Sequence, residues 1–406
     1  MGINTIAKKI LGKKGTQNLV LCKKSLRLIK SMLIGTKNRI EIKQTDGYQL
    51  YYVKGKNVFF GYYDLKSYNS SGDKLIGHMV NKKANPTVDP AKIVYFNIGN
   101  NCPHVVGETK AWCWQQGARL RWHPTEADVI LFNDYDNNQY VLRKVDIKSG
   151  RSEIIGSAVY DVDNEFRYAV TLNFSRLQSL RPGYGYLNMT DPNEKIKAPS
   201  NDGVYLVDIK SGAKELIYSL NELAKTVDDD GYHYINHISI APNGKNFIFF
   251  HLWTNGESWK MRLYASDIIG TRLTRVTDGI VVSHYCWMDN ENLIITTTSG
   301  KYLYININSC AQSKIEESHL NRDGHPNKFG NGFVSDTYPL KNQLQKVFYC
   351  GLDGTGYREI ASVFADPFKY GEHRCDLHPR VEHDGRITID TTAIGGVRSI
   401  LAFEID

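Results

Sequence analysis

Four histidines in the second half of the chain, His237, His284, His325 and His378, stand at one phase of a repeated segment. Each lies seven residues before a turn position: His237-Ile-Ser-Ile-Ala-Pro-Asn-Gly244, His284-Tyr-Cys-Trp-Met-Asp-Asn-Glu291, His325-Pro-Asn-Lys-Phe-Gly-Asn-Gly332 and His378-Pro-Arg-Val-Glu-His-Asp-Gly385. A β-rich run follows every turn, at 246–250, 292–297, 333–336 and 386–391. Successive spacings of 47, 41 and 53 residues suit propeller blades or a similar array, in which each repeat is one supersecondary unit stacked on the next. If equivalent positions of the units surround one axis, the four imidazoles converge on one pocket.

Three earlier turns extend the pattern: Asn69 to Lys74, His123 to Asp128 and Asp163 to Glu165 each precede a strand-like run. Seven turns at roughly 47 residues per unit predict a seven-bladed β-propeller of four-stranded antiparallel blades. Residues 203–212 and 301–308 alternate apolar and polar positions, as half-buried strands do. The near copies Asp146-Ile-Lys-Ser-Gly150 and Asp208-Ile-Lys-Ser-Gly212 repeat a hairpin turn. The length of 406 residues would allow two or three domains, but no boundary interrupts the pattern, and 25 tyrosines favour strands. The reading is an all-β chain: a basic, helical arm over 1–40 and one propeller over 41–406. Only that arm and Asn221 to Thr226 read as helical. The last strand, 399–405, is expected to close the ring against 51–60, removing exposed edges.

Charge separates the arm from the body. Residues 1–40 hold ten Lys or Arg and no acid, leaving 40 basic against 43 acidic residues in the remainder. The body is therefore no nucleic-acid surface. The arm mixes basic pairs with Ile3, Ile6, Ile10, Leu19, Leu26, Ile29 and Leu33, a composition suited to a cationic amphipathic helix on an anionic leaflet. It lacks the ~20 apolar residues of a bilayer span, and Lys23, Lys24, Arg27 and Lys30 break the only candidate signal region. Seven scattered cysteines without a Cys-x-x-Cys pair suit reduced thiols. Cytoplasmic residence is the expectation, with two readings of the arm: contact with the inner face of the membrane, or a solvated basic extension or helix covering the propeller base.

The densest chemical cluster is Glu372-His373-Arg374-Cys375-Asp376-Leu377-His378-Pro379. In an extended strand Asp376 and His378 project from one face. A carboxylate with imidazoles and no thiolate suits Mn²⁺ or a similar divalent ion better than structural zinc. The competing reading is that the histidines hydrogen-bond backbone groups around a tight channel. Trp112, Trp114 and Trp122 suit sugar stacking or, more simply, packing between sheets. Tyr63 and Asp64 are candidates for a pocket rim or a blade core. Asp228-Asp-Asp-Gly231 lacks the later ligands of a calcium loop and reads as a turn.

The segments Asn236-His237-Ile-Ser-Ile-Ala-Pro-Asn-Gly244, Ser283-His284-Tyr-Cys-Trp287, Asp323-Gly-His325-Pro326, Asp336-Thr-Tyr-Pro339 and Asp376-Leu-His378-Pro379 resemble the oligogalacturonate lyase family of seven-bladed propellers, over roughly 115–406 in motif order. That resemblance implies β-elimination of uronate oligosaccharides with a Mn²⁺ held by three histidines and a glutamine. It implies His284 and His378 as metal ligands and His237 as the proton-abstracting base. The family's Gln-x-x-His-x-His-Pro stretch is His373-Arg-Cys-Asp376-Leu-His378-Pro379 here, so His373 and Asp376 complete the expected ligand set and metal identity stays open. Arg181 is the candidate acid, with Arg176 its rival. Tyr184, Trp287, Arg374 and His325 are the expected substrate contacts.

A metal on a uronate carboxylate stabilises the enolate-like charge that develops as a neutral histidine takes the neighbouring proton. An arginine beside the glycosidic oxygen supports the leaving group electrostatically. Two functional readings follow: metal-dependent, lyase-like processing of an acidic, uronate-containing oligo- or polysaccharide, or a non-lytic glycan-binding or glycosyltransferase-associated propeller of surface-polysaccharide assembly. A protein scaffold, a common use of propellers, gives no reason for the phased histidines.

Overall fold

A computed structural model describes residues 3–43 and 47–405, with the helical path alone for 3–16. Seven antiparallel sheets follow one another along the chain as blades 1 to 7, spanning 56–109, 121–157, 161–219, 232–275, 282–314, 327–364 and 380–403. Within blades 1 to 5 the strands run outward from the axis in chain order, and blades 6 and 7 do so for all but one strand each. Each of the seven turns read from the sequence joins the innermost strand to the second, as Tyr232–Ile240 is joined to Asn246–Thr254 in blade 4.

The outer hairpins repeat a local device. Between third and fourth strands, the side-chain oxygens of Asp146, Asp208 and Asn306 accept backbone N–H groups two or three residues ahead. Short polar side chains that cap their own turn explain why the Asp-Ile-Lys-Ser-Gly copy recurs. The second strands are buried on both faces, because each blade is sandwiched between neighbours; Phe247, Ile248 and Phe249 of blade 4, with Leu263 of the strand beside them, have no exposure. Burying residues of this size contributes about 1.5–3 kcal/mol each.

Ring closure differs in detail from expectation. Blade 7 draws only three strands from the C-terminal end, and its outermost strand is Gln49–Tyr51, paired with Ser399–Phe403 through Gln49↔Ala402, Leu50↔Leu401 and Tyr51↔Ile400. Lys56–Phe59, read as closure material, instead begins blade 1. Just upstream, Ile40–Ile42 adds a fifth strand to blade 6.

Helix Ile3–Leu33 lies outside the ring. Its Leu28 packs on the core of blades 6 and 7, and Thr36 Oγ1 donates to the Asn342 carbonyl at 2.9 Å. Leu220–Ala224 is the short helix expected near 221–226, opened by a reciprocal Ser219/Glu222 cap. Phe174–Leu180 is a helix the sequence reading did not include; Asn173 Oδ1 caps it by accepting the Ser175 and Arg176 N–H groups. No helix among the described residues is long and apolar enough to cross a membrane.

Candidate metal and substrate site

The four phased histidines meet at the axis. Ring centroids are 4.0 Å apart for His284 and His325, 4.4 Å for His325 and His378, and 6.3 Å for His237 and His284. His237 and His284 stand on the innermost strands of blades 4 and 5, where the register slips between Asn236 and Ser239 and between Val282 and His284. Bulges re-aim side chains, and here they turn imidazoles toward the axis. His325 and His378 precede the innermost strands of blades 6 and 7. His237 and His378 have φ of +52° and +48°, conformations that cost non-glycine residues about 1–3 kcal/mol and mark functional sites.

Three of these rings are held through Nδ1. His284 Nδ1 lies 3.2 Å from Asp323 Oδ1, His325 Nδ1 lies 2.8 Å from Asp336 Oδ1, and His378 Nδ1 donates to the Gly61 carbonyl at 2.5 Å. Asp336 also accepts the backbone N–H groups of His325 and His378, tying blades 6 and 7 together. Holding Nδ1–H leaves the lone pair on Nε2, the arrangement that orients metal-ligating histidines. His378 Nε2 is buried with no hydrogen-bond partner. One ligand atom each from His325, Asp376 and His378 falls within 4.8 Å of the others, and all three residues are buried.

These residues fit a divalent cation: a hard carboxylate, oriented imidazoles and an orphaned nitrogen. Asp376 is meanwhile matched by Arg374, whose Nε lies 2.7 and 2.8 Å from its two oxygens. Burial alone would raise the Asp376 carboxyl; Arg374 and His325 outweigh it and hold the pKa below the ordinary value. His325 shows the opposite balance. Burial pushes it down, but Asp336, Asp376 and Asp323 lift it above the usual histidine range. His284 and His378 are lowered, mainly by burial and then by neighbouring His325.

His237 sits beside this group. Its Nε2 lies 3.3 Å from the Tyr62 hydroxyl, and burial, then His284 and Arg181, keep its pKa well below 6.5. Arg181 stacks over Tyr184 and Trp259, with its guanidinium carbon 5.1 and 4.9 Å from their centroids. No carboxylate pairs with Arg181 among the described residues, and its charge reaches His237. Tyr184 lies 6.1 Å from His237, and Arg374 stacks on Tyr338, which is 5.7 Å from His325.

The structure thus brings together His237, His284, His325, Asp376, His378, Arg181, Tyr184 and Arg374. It does not bring in three other expected residues. His373 ends an exposed turn, Gly371–His373, and packs on Trp114 at 5.2 Å. Arg176 is buried in a structural knot, paired with Asp191 and donating to the carbonyls of His233, Asn193, Ile196 and Lys197. Trp287 donates to Ser239 Oγ and lines a cavity of about 730 Å³ that contains none of the four histidines.

That cavity is separated from the histidines by the segment for which the sequence offered a pocket rim or a blade core. Residues 60–64 leave blade 1 and cross the channel. Asp390 of blade 7 accepts the N–H groups of Phe60 and Gly61, Asn327 of blade 6 donates to the Tyr63 carbonyl, and Tyr63 hydroxyl bonds the Tyr285 backbone of blade 5. Asp64 makes a two-pronged ion pair with Arg119 ahead of blade 2. Tyr62 and Tyr63 are buried, and their rings lie 4.8 and 6.0 Å from His378. Gly61 carries the segment past Gln116 at φ +121°, where a Cβ would meet the Gln116 backbone at 3.0 Å. The signal was the aromatic run Phe59-Phe-Gly-Tyr-Tyr-Asp64, whose destination only the closed ring defines.

Comparison with solved structures supports the fold. An oligogalacturonate lyase in complex with manganese superposes with a TM-score of 0.64 at 12% identity, covering 91% of this chain and 96% of that one. The oligogalacturonate lyase of Vibrio parahaemolyticus gives 0.59 at 11% identity, covering 91% and 97%. No family model matches the chain, and no curated protein sequence does. The chain shares the lyases' propeller across nearly its whole length.

Proposed function

We propose that this lyase-like propeller is a metal-dependent enzyme acting by β-elimination on an acidic, uronate-containing oligo- or polysaccharide. The observation that carries the reading is the set of Nδ1-anchored imidazoles of His284, His325 and His378 around buried Asp376, with neutral His237 and Arg181, which has no carboxylate partner among the described residues, alongside. His325, Asp376 and His378 would hold a divalent cation, with His284 beside them; a manganese complex of a fold relative makes Mn²⁺ the first ion to test. Bound there, such an ion supplies the positive charge that acidifies the carbon next to a uronate carboxylate.

The chain's own groups supply the rest. His237 is uncharged at neutral pH, so Nε2, now facing the Tyr62 hydroxyl, can take the carbon-bound proton. Arg181 stays charged, because Tyr184 and Tyr234 outweigh the effect of burial, and it can stabilise a departing glycosidic oxygen. Arg374, partly exposed beside Asp376, can bind a second acidic group. Tyr62 and Tyr63 close the floor and exclude water.

The test is appearance of an unsaturated uronate, read as absorbance near 235 nm over a panel of uronate oligosaccharides with and without added Mn²⁺. His237→Ala is expected to lower kcat by about 10²–10⁴-fold. Product formation unaffected by that substitution would remove His237 from its role. One observation favours the non-lytic alternative: Arg374 takes up both Asp376 oxygens, so the pocket can recognise an anion without an ion in place. In that case the glycans bind, Arg374→Ala abolishes binding, and no absorbance develops.

A further inference from the structure

We propose that the face of helix Ile3–Leu33 turned away from the propeller is a docking surface for an anionic lipid bilayer. Leu19, Cys22, Leu26, Ile29 and Leu33 recur at alternating steps of three and four, which places them on one stripe. All five are exposed, Leu26 by 60% and Leu33 by 82%. The opposite face is the docked one: Lys24 and Ser31 are buried, Leu28 packs on the core of blades 6 and 7, and the Lys24 ammonium sits over the Tyr370 ring. The helix is therefore two-sided, and the apolar stripe has no cover among the described residues.

Charge chooses the occupant. Lys23, Arg27 and Lys30 flank the stripe and are exposed, and residues 1–40 contain ten basic side chains and no acid. A helix with apolar and cationic sides lies in the interface of an anionic bilayer, each basic group adding to the attraction. A second copy of the helix fits less well. Treated as a heptad seam, the stripe puts Lys23 and Lys30 at flanking positions where a paired helix needs opposite charges. Continued toward the N-terminus, the same register reaches Gly15, Gly12 and Lys8, so the seam lasts about two heptads, short of the three or four a coiled coil sustains. The inference is independent of whether the pocket cleaves its ligand.

Flotation of the full chain with vesicles tests it. The protein is expected to float with vesicles of phosphatidylcholine and phosphatidylglycerol, to float poorly with phosphatidylcholine alone, and to be released by high salt. The double variant L26E/I29E changes only exposed side chains, and it should reduce the bound fraction about tenfold with an unchanged melting curve. K23E/R27E/K30E should abolish the preference for the anionic lipid. Absence of flotation, or equal flotation of wild type and L26E/I29E, would overturn the proposal. So would light scattering that shows a wild-type dimer, made monomeric by L26E/I29E, without vesicle binding by either.

Discussion

His78 shows how a single ring ties stability to pH. It is fully buried in blade 1, and its Nε2 accepts the Ala118 N–H at 3.0 Å, so the ring must keep a lone pair there. Burial lowers its pKa from 6.5 to about 4. Such a group is uncharged in the folded state and takes a proton in the unfolded one. Its contribution is complete above the unfolded value of 6.5 and is lost as pH falls toward 4. The difference is worth about 3 kcal/mol, and His237, His251 and His378, also lowered by burial, add in the same direction. Urea midpoints should therefore drop steeply as pH falls below 6.5, with the drop reduced in His78→Gln. Residue chemistry of this local kind was partly legible: the four phased histidines and Asp376 could be placed in one pocket. The anchors Asp323 and Asp336 stood in the quoted motifs, but their grip on Nδ1 depends on a neighbouring strand or blade. His373 was grouped by proximity in sequence, and the turn ending at it carries its ring outward to Trp114.

At the scale of elements, the seven turns and the hairpin copies were legible because each is stabilised within a few residues. Closure of the last strand by the N-terminal segment was legible too, but the exact closing strand was not, because the partner of Ser399–Phe403 is nearly the full chain length away and several early strands have suitable pattern. Gln49–Tyr51 takes the position, with Tyr51 fully buried and its hydroxyl 2.6 Å from that of Tyr68. Two truncations separate the arm from the closure. A chain starting at residue 39 keeps both added strands and should melt within a few degrees of the full protein. One starting at residue 52 loses Tyr51 and the outer edge of blade 7; losing a buried aromatic alone costs about 3–5 kcal/mol, so thermal unfolding should occur at least several degrees lower. Equal melting of the two would show that blade 7 stands without its borrowed strand.

For the whole molecule, the candidate metal pocket gathers histidines from four blades, so an ion held there would stabilise the folded ring by mass action. Mn²⁺ at a hundredfold excess over its Kd should add about 2.7 kcal/mol, seen as a rise in Tm, with about one ion per chain by elemental analysis. His325→Ala and His378→Ala should lose both effects. His325 holds its proton more tightly than an ordinary histidine, and a cation must displace that proton, so the rise in Tm should be larger at pH 8 than at pH 6.

The segment 60–64 gives the ring a further property. Because Tyr62 and Tyr63 bar the bore and are pinned to blades on several sides, the pocket is a dead end rather than a tunnel. On the proposed function, a long polysaccharide could not be threaded through it; a glycan would enter and leave by the same door, which favours chain termini and short fragments over the interior of a polymer.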